Sequence, residues 1–347
     1  MGVGHYRVLD LALRLESSSD AFLEAFREDY ARFESAEPGG TPLAVRFQDG
    51  PGAFLEVDGV RTDLAGHPSP EGQAALDLAQ LLMDRNAAYT ILHAGVVGSP
   101  GGAMAVCGPS GAGKTTLTLA LLESGCAYLS DDFCPVAKAT GLVHPFPRSL
   151  WVRARPGQVS SNRRKGKLLH PLDGSGFPVE TRPLPLRWLL CLEAEGLGEA
   201  PSRLRLSPRE GRGEALLAAL RALEGVTVAP TSTGPEWLVT YPRQEGLTAA
   251  VKACLDAHPD ALWHAYAQAT AEPDFTREAA LEPLSAAEAA FFLLRELKHG
   301  LGGARPGAAL GHLVGLLDAT RCYRLTPGPL PQRLALARGL LEGEEHP

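Results

Sequence analysis

The stretch of residues 102–132 constrains the fold more than any other part of this chain. An apolar run of strand length, residues 103–107, leads into Gly-Pro-Ser-Gly-Ala-Gly-Lys-Thr, which matches the phosphate-binding pattern G-x-x-x-x-G-K-[ST]. Leucines follow at the spacing of an apolar helix that is expected to stop at Gly125. A strand, a glycine-rich loop and a helix in this order predict a nucleotide site, because backbone N–H groups and a helix N-terminus attract phosphates. The alternative is a glycine-rich turn between two core elements.

The loop supplies a set of expected nucleotide ligands. They are Gly108, Pro109, Ser110, Gly111, Ala112, Gly113, Lys114, Thr115 and Thr116. In such a loop the lysine reaches the β- and γ-phosphates, and the hydroxyl after it lies on Mg²⁺. The sequence therefore predicts that ATP and Mg²⁺ are the cofactors.

Two acids, Asp131 and Asp132, follow a second short apolar run, residues 126–129. Ligands bind at the carboxyl ends of parallel strands, so both carboxylates are expected beside the loop. One carboxylate can hold Mg²⁺ and the other can accept a proton from an attacking hydroxyl. The alternative for this pair is a solvated turn.

Composition excludes several classes of function. The chain has 347 residues and a net charge of −7, so no global charge favours nucleic acid or an anionic membrane. None of its six cysteines forms a C-x-x-C pair, and Cys107, Cys126 and Cys191 lie in apolar runs, as buried reduced thiols do. No signal peptide and no apolar run of membrane-spanning length is found. We expect a cytoplasmic protein without a nucleic-acid or membrane partner.

The chain is predicted to divide into residues 1–86, a small α+β unit, and residues 87–347, a nucleotide domain with C-terminal helical additions. In the first unit, residues 8–15 are expected to form a strand, and Asp20 to cap a helix. The apolar face of that helix is Phe22, Phe26, Tyr30 and Phe33. In the second unit, residues 196–213 are predicted to be a surface connection. Ser285 and Glu288 are predicted to form a capping box at the start of a helix that ends at His299.

His93 lies in an apolar run, residues 89–97, which a tight turn joins to the loop strand, so the two strands are expected to pair. This order of motifs, His-Ala-Gly-Val at residues 93–96, the GPSGAGKT loop, and Leu-Ser-Asp-Asp at residues 129–132, resembles the catalytic domain of HPr kinase/phosphorylase. It resembles still more the HPr-kinase-related serine kinases. The match is good over residues 92–136.

The resemblance implies an α/β fold, a P-loop kinase core of the HPr kinase and phosphoenolpyruvate carboxykinase type. It also implies that Asp131 is the general base, that Asp132 and Thr115 serve Mg²⁺, and that His93 assists near Asp131. The chain lacks the Arg-Gly-x-Gly-Ile signature after the two acids. This departure argues against phosphorylase activity, against HPr as the substrate and against a hexamer, while a homo-oligomer stays open.

Residues 133–172 contain no Asp or Glu but many Lys and Arg, so this segment is positively charged in a chain whose net charge is negative. Basic loops close over phosphates in transfer enzymes, where they exclude water and neutralise charge. We expect the tip of this segment, residues 160–166, to be mobile, and Lys167 and either Arg148 or Arg153 to contact phosphate or substrate. A solvated basic loop without a ligand is the alternative.

These features favour a Mg-ATP-dependent kinase, with Lys114, Asp131 and His93 as catalytic residues. The acceptor would be a hydroxyl, either a seryl side chain of a peptide or protein or a small metabolite. One alternative is a sulfonucleotide or nucleoside-type P-loop kinase, against which the upstream His93 and the acid pair argue. Another is a nucleotide-dependent switch without chemistry, which would not need a competent base.

Overall fold

A computed structural model of the chain shows a mixed α/β protein. The structure describes residues 1–36, 39–109, 111–153, 163–164, 167–170, 172, 176–193, 201–231, 236–268, 274–299 and 306–343. The helices are α1 Asp20–Asp29, α2 Pro70–Arg85, α3 Lys114–Glu123, α4 Glu214–Arg221, α5 Glu245–Asp256, α6 Ala286–Glu296, α7 Pro306–Leu317 and α8 Leu330–Glu342. No helix among these residues is long and apolar enough to span a bilayer.

The strands among the described residues fall into four sheets. They are β1 Gly2–Val8, β2 Leu11–Ser17, β3 Leu43–Gln48, β4 Phe54–Val57, β5 Val60–Asp63, β6 Tyr89–Leu92, β7 Ala94–Ser99, β8 Gly102–Cys107, β9 Ala127–Ser130, β10 Cys134–Ala137, β11 Leu142–Val143, β12 Leu150–Arg153, β13 Arg163–Arg164, β14 Lys167–His170, β15 Leu184–Leu192, β16 Ser202–Pro208, β17 Thr227–Pro230, β18 Trp237–Tyr241, β19 Leu262–Gln268, β20 Leu281–Leu284, β21 Leu297–His299 and β22 Arg321–Leu325.

The chain forms two compact units. The first contains Met1–Ala65, Ser69–Glu193 and Asp274–Pro347, and the second contains Gly66–Pro68 and Ala194–Pro273. The five-stranded N-terminal sheet, in the order β1 to β5, and the strand that leads into the glycine-rich loop thus belong to the same unit.

The central sheet of the first unit places the loop. Its described strands run in the order β21-β6-β10-β11-β15-β8-β7-β9, and β15 also pairs with β22. All six residues of β8 are buried, and their side chains alternate between two cores. Ala103, Ala105 and Cys107 join the core with α6 and α7, while Met104 and Val106 join the core with α3 and α8. The loop therefore emerges from a sheet that helices cover on both faces.

Strand direction brings the two acids to the edge where the loop lies. β8 is parallel to β15, whereas β7 lies between β8 and β9 and is antiparallel to both. β8 and β9 consequently run in the same direction, and their carboxyl ends share one edge. The predicted pairing of the loop strand with the strand before it is confirmed.

The predicted strand over residues 89–97 is interrupted at His93. β6 pairs with β10 and β21, whereas β7 pairs with β8 and β9, so the chain changes partners between them. A continuous apolar run cannot reveal such a break, because both pieces are buried on both faces.

The second unit is built on a four-stranded sheet, in the order β17-β18-β16-β19, with α4 and α5 in its core. The prediction of a surface connection over residues 196–213 is wrong where β16 lies. Leu204 and Leu206 alternate with arginines along β16, a period of two that fits a strand with one buried face.

Three element boundaries also differ from prediction. The predicted strand over residues 8–15 is instead the hairpin of β1 and β2, which turns where Leu9 has φ of +54°. The cap of α1 is Ser19, whose hydroxyl accepts from the N–H of Phe22, rather than Asp20. The helix opened by the Ser285 and Glu288 capping box, which is confirmed, ends at Glu296, and the chain continues as β21.

Candidate functional site

The glycine-rich loop has the backbone geometry that the motif predicts. Gly108, Gly111 and Gly113 all have positive φ, at +152°, +90° and +91°, where side chains are strongly disfavoured. A Cβ on Gly108 would lie 2.8 Å from the carbonyl oxygen of Leu192 at the end of β15. Glycine is thus required where the loop leaves the sheet.

Lys114 opens α3 and folds back over the loop. Its ammonium donates to the carbonyl oxygen of Gly108 at 2.6 Å and to that of Pro109 at 3.4 Å. It is only 8% exposed, so it is a buried lysine. A charged ammonium held among backbone carbonyls at a helix N-terminus is positioned to receive an anion.

Each of the two acids lies near another candidate site residue. The Thr115 hydroxyl lies 3.4 Å from each carboxylate oxygen of Asp131, which is buried. The Nε2 of His93, in the break between β6 and β7, lies 3.4 Å from the Oδ1 of Asp132. These contacts pair the threonine with the first acid and the histidine with the second, whereas the resemblance implied Thr115 with Asp132 and His93 near Asp131.

Asp132 has an unusual backbone. Its φ of +67° lies in the left-handed region, where aspartate is one of the few tolerated residues. The side chain is 35% exposed, in contrast to the buried Asp131. Strained backbone of this kind is concentrated at functional sites, and here it presents one of the two carboxylates to solvent.

The donor set fits a hard cation bound together with phosphates. Among the described residues, no group of three or more His, Cys, Asp or Glu could hold a metal ion. Mg²⁺ in nucleotide sites does not need such a group, because it takes one or two carboxylates and completes its shell with phosphate oxygens and water. The Thr115 hydroxyl and the Asp131 carboxylate meet that requirement.

The remaining loop residues are placed as follows. Thr116 is exposed in the first turn of α3, and the N–H of Ala112 donates to the carbonyl of Pro109 at 3.1 Å. Ser110 lies outside the described residues, as does most of the tip predicted at residues 160–166.

Arg148, one of the predicted phosphate or substrate contacts, is buried in an ion pair with Asp29 of α1. Its guanidinium also lies 4.8 Å from the ring centroid of Tyr30 and 5.5 Å from that of Phe133. These contacts connect α1 to the segment after the acids. Sequence reasoning missed Asp29, because nothing local distinguishes it from the other acids of an amphipathic helix.

Arg153 and Lys167, the other two predicted contacts, are brought together. They are register partners in the antiparallel pair of β12 and β14, and Arg164 of β13 is the other register partner of Lys167. The backbone therefore groups three basic residues of the segment that the sequence marked.

A cavity of about 300 Å³ lies beside the Arg148 and Asp29 pair. Its walls include Arg27, Arg32 and Pro147, but neither the glycine-rich loop nor the two acids. This cavity is therefore not the predicted nucleotide site.

Arg333 of α8 is a further residue at the loop, and sequence reasoning missed it. Its Nη2 donates to the carbonyl oxygen of Ala112 at 3.1 Å. A signal was present, since Arg333 shares the buried stripe of its helix with Ala337 and Leu340, four and seven residues later. A charge on the buried face of a helix is exceptional.

Comparison with protein-family models and with curated proteins finds no match to this chain.

Proposed function

We propose that this protein is a Mg-ATP-dependent kinase that transfers the γ-phosphate to a hydroxyl group. The observation that carries the proposal is the meeting of Lys114, Thr115, Asp131, Asp132 and His93 where β8 and β9 end. A phosphate loop alone supports nucleotide binding. A loop with a metal-binding carboxylate and a second, more exposed carboxylate beside it supports phosphoryl transfer.

In the proposed reaction the acceptor oxygen attacks the γ-phosphorus, the bond from that phosphorus to ADP breaks, and the hydroxyl proton passes to a carboxylate. Lys114 binds the phosphates and stabilises the charge that develops on them. Bound Mg²⁺ would neutralise phosphate charge and orient the γ-phosphate for in-line attack. The basic segment, residues 133–172, is a candidate for closing the site over the phosphates.

The contacts favour one allocation of the two acids. A P-loop threonine and a neighbouring aspartate hold Mg²⁺ in P-loop enzymes, and Thr115 has Asp131 as that neighbour. Asp132 is more exposed and has an imidazole 3.4 Å away, which suits a residue that meets an incoming hydroxyl. We therefore assign the metal to Asp131 and the proton to Asp132, the reverse of the allocation that the resemblance implied.

The test compares Asp131→Asn, Asp132→Asn and His93→Ala with the unaltered protein. Calorimetry with Mg-ATP gives the dissociation constant, and labelled ATP with a library of serine peptides and hydroxyl metabolites gives transfer. Asp132→Asn should bind Mg-ATP normally and lose about 10²–10⁴-fold in kcat, the usual contribution of a general base. Asp131→Asn should lose nucleotide affinity and metal dependence together, and His93→Ala should lower kcat with little change in binding.

The opposite pattern in the two aspartate variants would return the base to Asp131 and leave the kinase assignment intact. Transfer that persists in the presence of a chelator would remove the metal roles. Mg-ATP binding without transfer to any acceptor would favour the nucleotide-dependent switch, and absence of Mg-ATP binding would overturn the proposal.

A further inference from the structure

Arg333 is a buried cation for which the described residues supply no counter-charge. Arg333 is the fourth residue of α8 and is only 3% exposed. No carboxylate forms an ion pair with it among the described residues, and its Nε has no hydrogen-bond partner there. Burial alone lowers the pKa of the guanidinium to about 10. A fully buried arginine is normally paired, as Arg148 is with Asp29.

The contacts that Arg333 does make lie on the glycine-rich loop and on one aromatic ring. Nη2 donates to the carbonyl of Ala112 at 3.1 Å, and a Cβ built on Gly113 would lie 3.0 Å from Nη1. The ring centroid of Phe275 is 5.5 Å from the guanidinium carbon. The cation is therefore packed directly against the last peptide of the loop before Lys114.

This contact orients the peptide between Ala112 and Gly113. The structure contains no cis peptide among its described residues, and in a trans peptide the C=O and the N–H point in opposite directions. Because the Ala112 carbonyl is held toward Arg333, the Gly113 N–H faces the other way. In a phosphate loop, N–H groups of this kind cradle the phosphates.

We propose that Arg333 is a positioning residue for the phosphate chain of a bound nucleoside triphosphate. It fixes the Ala112–Gly113 peptide with its N–H toward the phosphates, and the bound phosphate chain places negative charge across that peptide from a guanidinium that no carboxylate pairs with among the described residues. The proposal rests on the proposed nucleotide site and deepens it. Its ligand class is the polyphosphate group, so the contribution of Arg333 should increase with the number of phosphates.

A purely structural role makes a different prediction. If Arg333 mainly held α8 onto the loop, its replacement would destabilise the free protein and leave the relative affinities for different phosphates unchanged. If the charge of Arg333 instead serves the bound phosphates, an apolar replacement of similar length removes a desolvated charge from the free protein. Removing an unpaired buried charge offsets the loss of the hydrogen bond to the Ala112 carbonyl, so the free protein should lose little or no stability.

The experiment compares Arg333→Met and Arg333→Lys with a matched control, Arg338→Met. Arg338 lies on the same helix but is exposed and pairs with Glu342. Thermal unfolding of the nucleotide-free protein is measured first, and then the dissociation constants for Mg-ATP, AMP and inorganic tripolyphosphate. Arg333→Met should keep or raise the unfolding temperature and weaken Mg-ATP and tripolyphosphate by a factor in the coupling range of about 5–150. AMP should change less, Arg333→Lys should recover part of the affinity, and Arg338→Met should change none of these constants.

Unchanged affinities in Arg333→Met, or an equal loss for AMP and ATP, would overturn the inference while the nucleotide site stands. If Arg333→Met did not fold, Arg333→Lys would decide, since raised constants in a folded protein support the proposal and unchanged ones refute it. Failure of the unaltered protein to bind Mg-ATP or tripolyphosphate would overturn the nucleotide site itself, so the two failures are distinguishable.

Discussion

At the scale of single residues, Lys114, which we propose binds the phosphates, is unusually buried for a lysine. Its ammonium donates to the carbonyls of Gly108 and Pro109, so the side chain also supports the loop itself. Its substitution therefore has two separable consequences, one for the loop and one for the chemistry. Each hydrogen bond of this type contributes roughly 0.5–1.5 kcal/mol to stability.

We expect Lys114→Met to lower stability by no more than about 1–3 kcal/mol, because the apolar stem is kept and two carbonyl contacts are lost. Phosphoryl transfer should fall by at least about 10²-fold, the cost of losing one preorganised charged donor. Urea denaturation and transfer assays measure the two effects. The control is Lys138→Met, since that ammonium also donates to a backbone carbonyl, that of Ala87 at 2.9 Å, away from the loop. Full transfer activity in Lys114→Met would refute the loop assignment.

At the scale of elements, the C-terminal end of α1 contacts residues 146–149, just before β12. Arg148 pairs with Asp29, and the Ser149 hydroxyl donates to the carbonyl of Glu28 at 2.9 Å. Phe146 adds ring contacts, with centroids 4.9 Å from Phe33 and 6.4 Å from Tyr30. Tyr30 and Phe33, just beyond α1, thus pack on the segment that follows the two acids. Phe22 and Phe26, within α1, instead contact Phe47 and Tyr6 of the N-terminal sheet.

Breaking the buried pair should be costly. Asp29→Asn leaves the Arg148 guanidinium without its counter-charge, and the expected destabilisation is about 3–5 kcal/mol. Glu342→Gln breaks the exposed Arg338 pair instead and should cost at most about 0.5 kcal/mol. Urea denaturation measures both. The double variant Asp29→Asn/Arg148→Met should recover part of the loss, because it leaves no unpaired buried charge. Equal losses of stability in Asp29→Asn and Glu342→Gln would show that the buried pair contributes no more than the exposed one.

At the scale of the whole molecule, the proposed nucleotide residues all belong to one compact unit. The second unit has a core of its own, which includes Leu206, Leu216 and Val239. We therefore expect a core substitution to destabilise mainly the unit that contains it. Only substitutions in the first unit should change nucleotide affinity.

Leu206→Ala tests this separation. A buried leucine truncated to alanine costs about 2–5 kcal/mol, so the second unit should be strongly destabilised. The dissociation constant for Mg-ATP should stay within about twofold, a change below roughly 0.4 kcal/mol. Leu121→Ala in α3 is the matched control, because it truncates an equally buried leucine in the helix that follows the loop. Hydrogen exchange and calorimetry report the two quantities. A tenfold loss of affinity in Leu206→Ala would mean that the second unit contributes to nucleotide binding.

Local chemistry could be predicted from the sequence because neighbouring residues carry it. The glycines before Lys114 require positive φ, which only a few residue types tolerate, and the flanking apolar runs have the lengths of a strand and a helix. The hairpin at Asp58 and Gly59 and the capping box at Ser285 follow from the same kind of local rule.

Tertiary structure decided which groups meet. Asp29 pairs with Arg148 across 119 residues, and Arg333 reaches the loop across 221, and no sequence periodicity encodes either distance. Our proposal of which acid binds metal and which accepts the proton depends on two tertiary features. One is the positive φ of Asp132, and the other is the position of His93 between β6 and β7. The sequence by itself determined a strand, a glycine-rich loop and an acid pair. Their mutual contacts arise only when several sheet strands are in register, because pairing and burial are properties of the assembled sheet rather than of its segments.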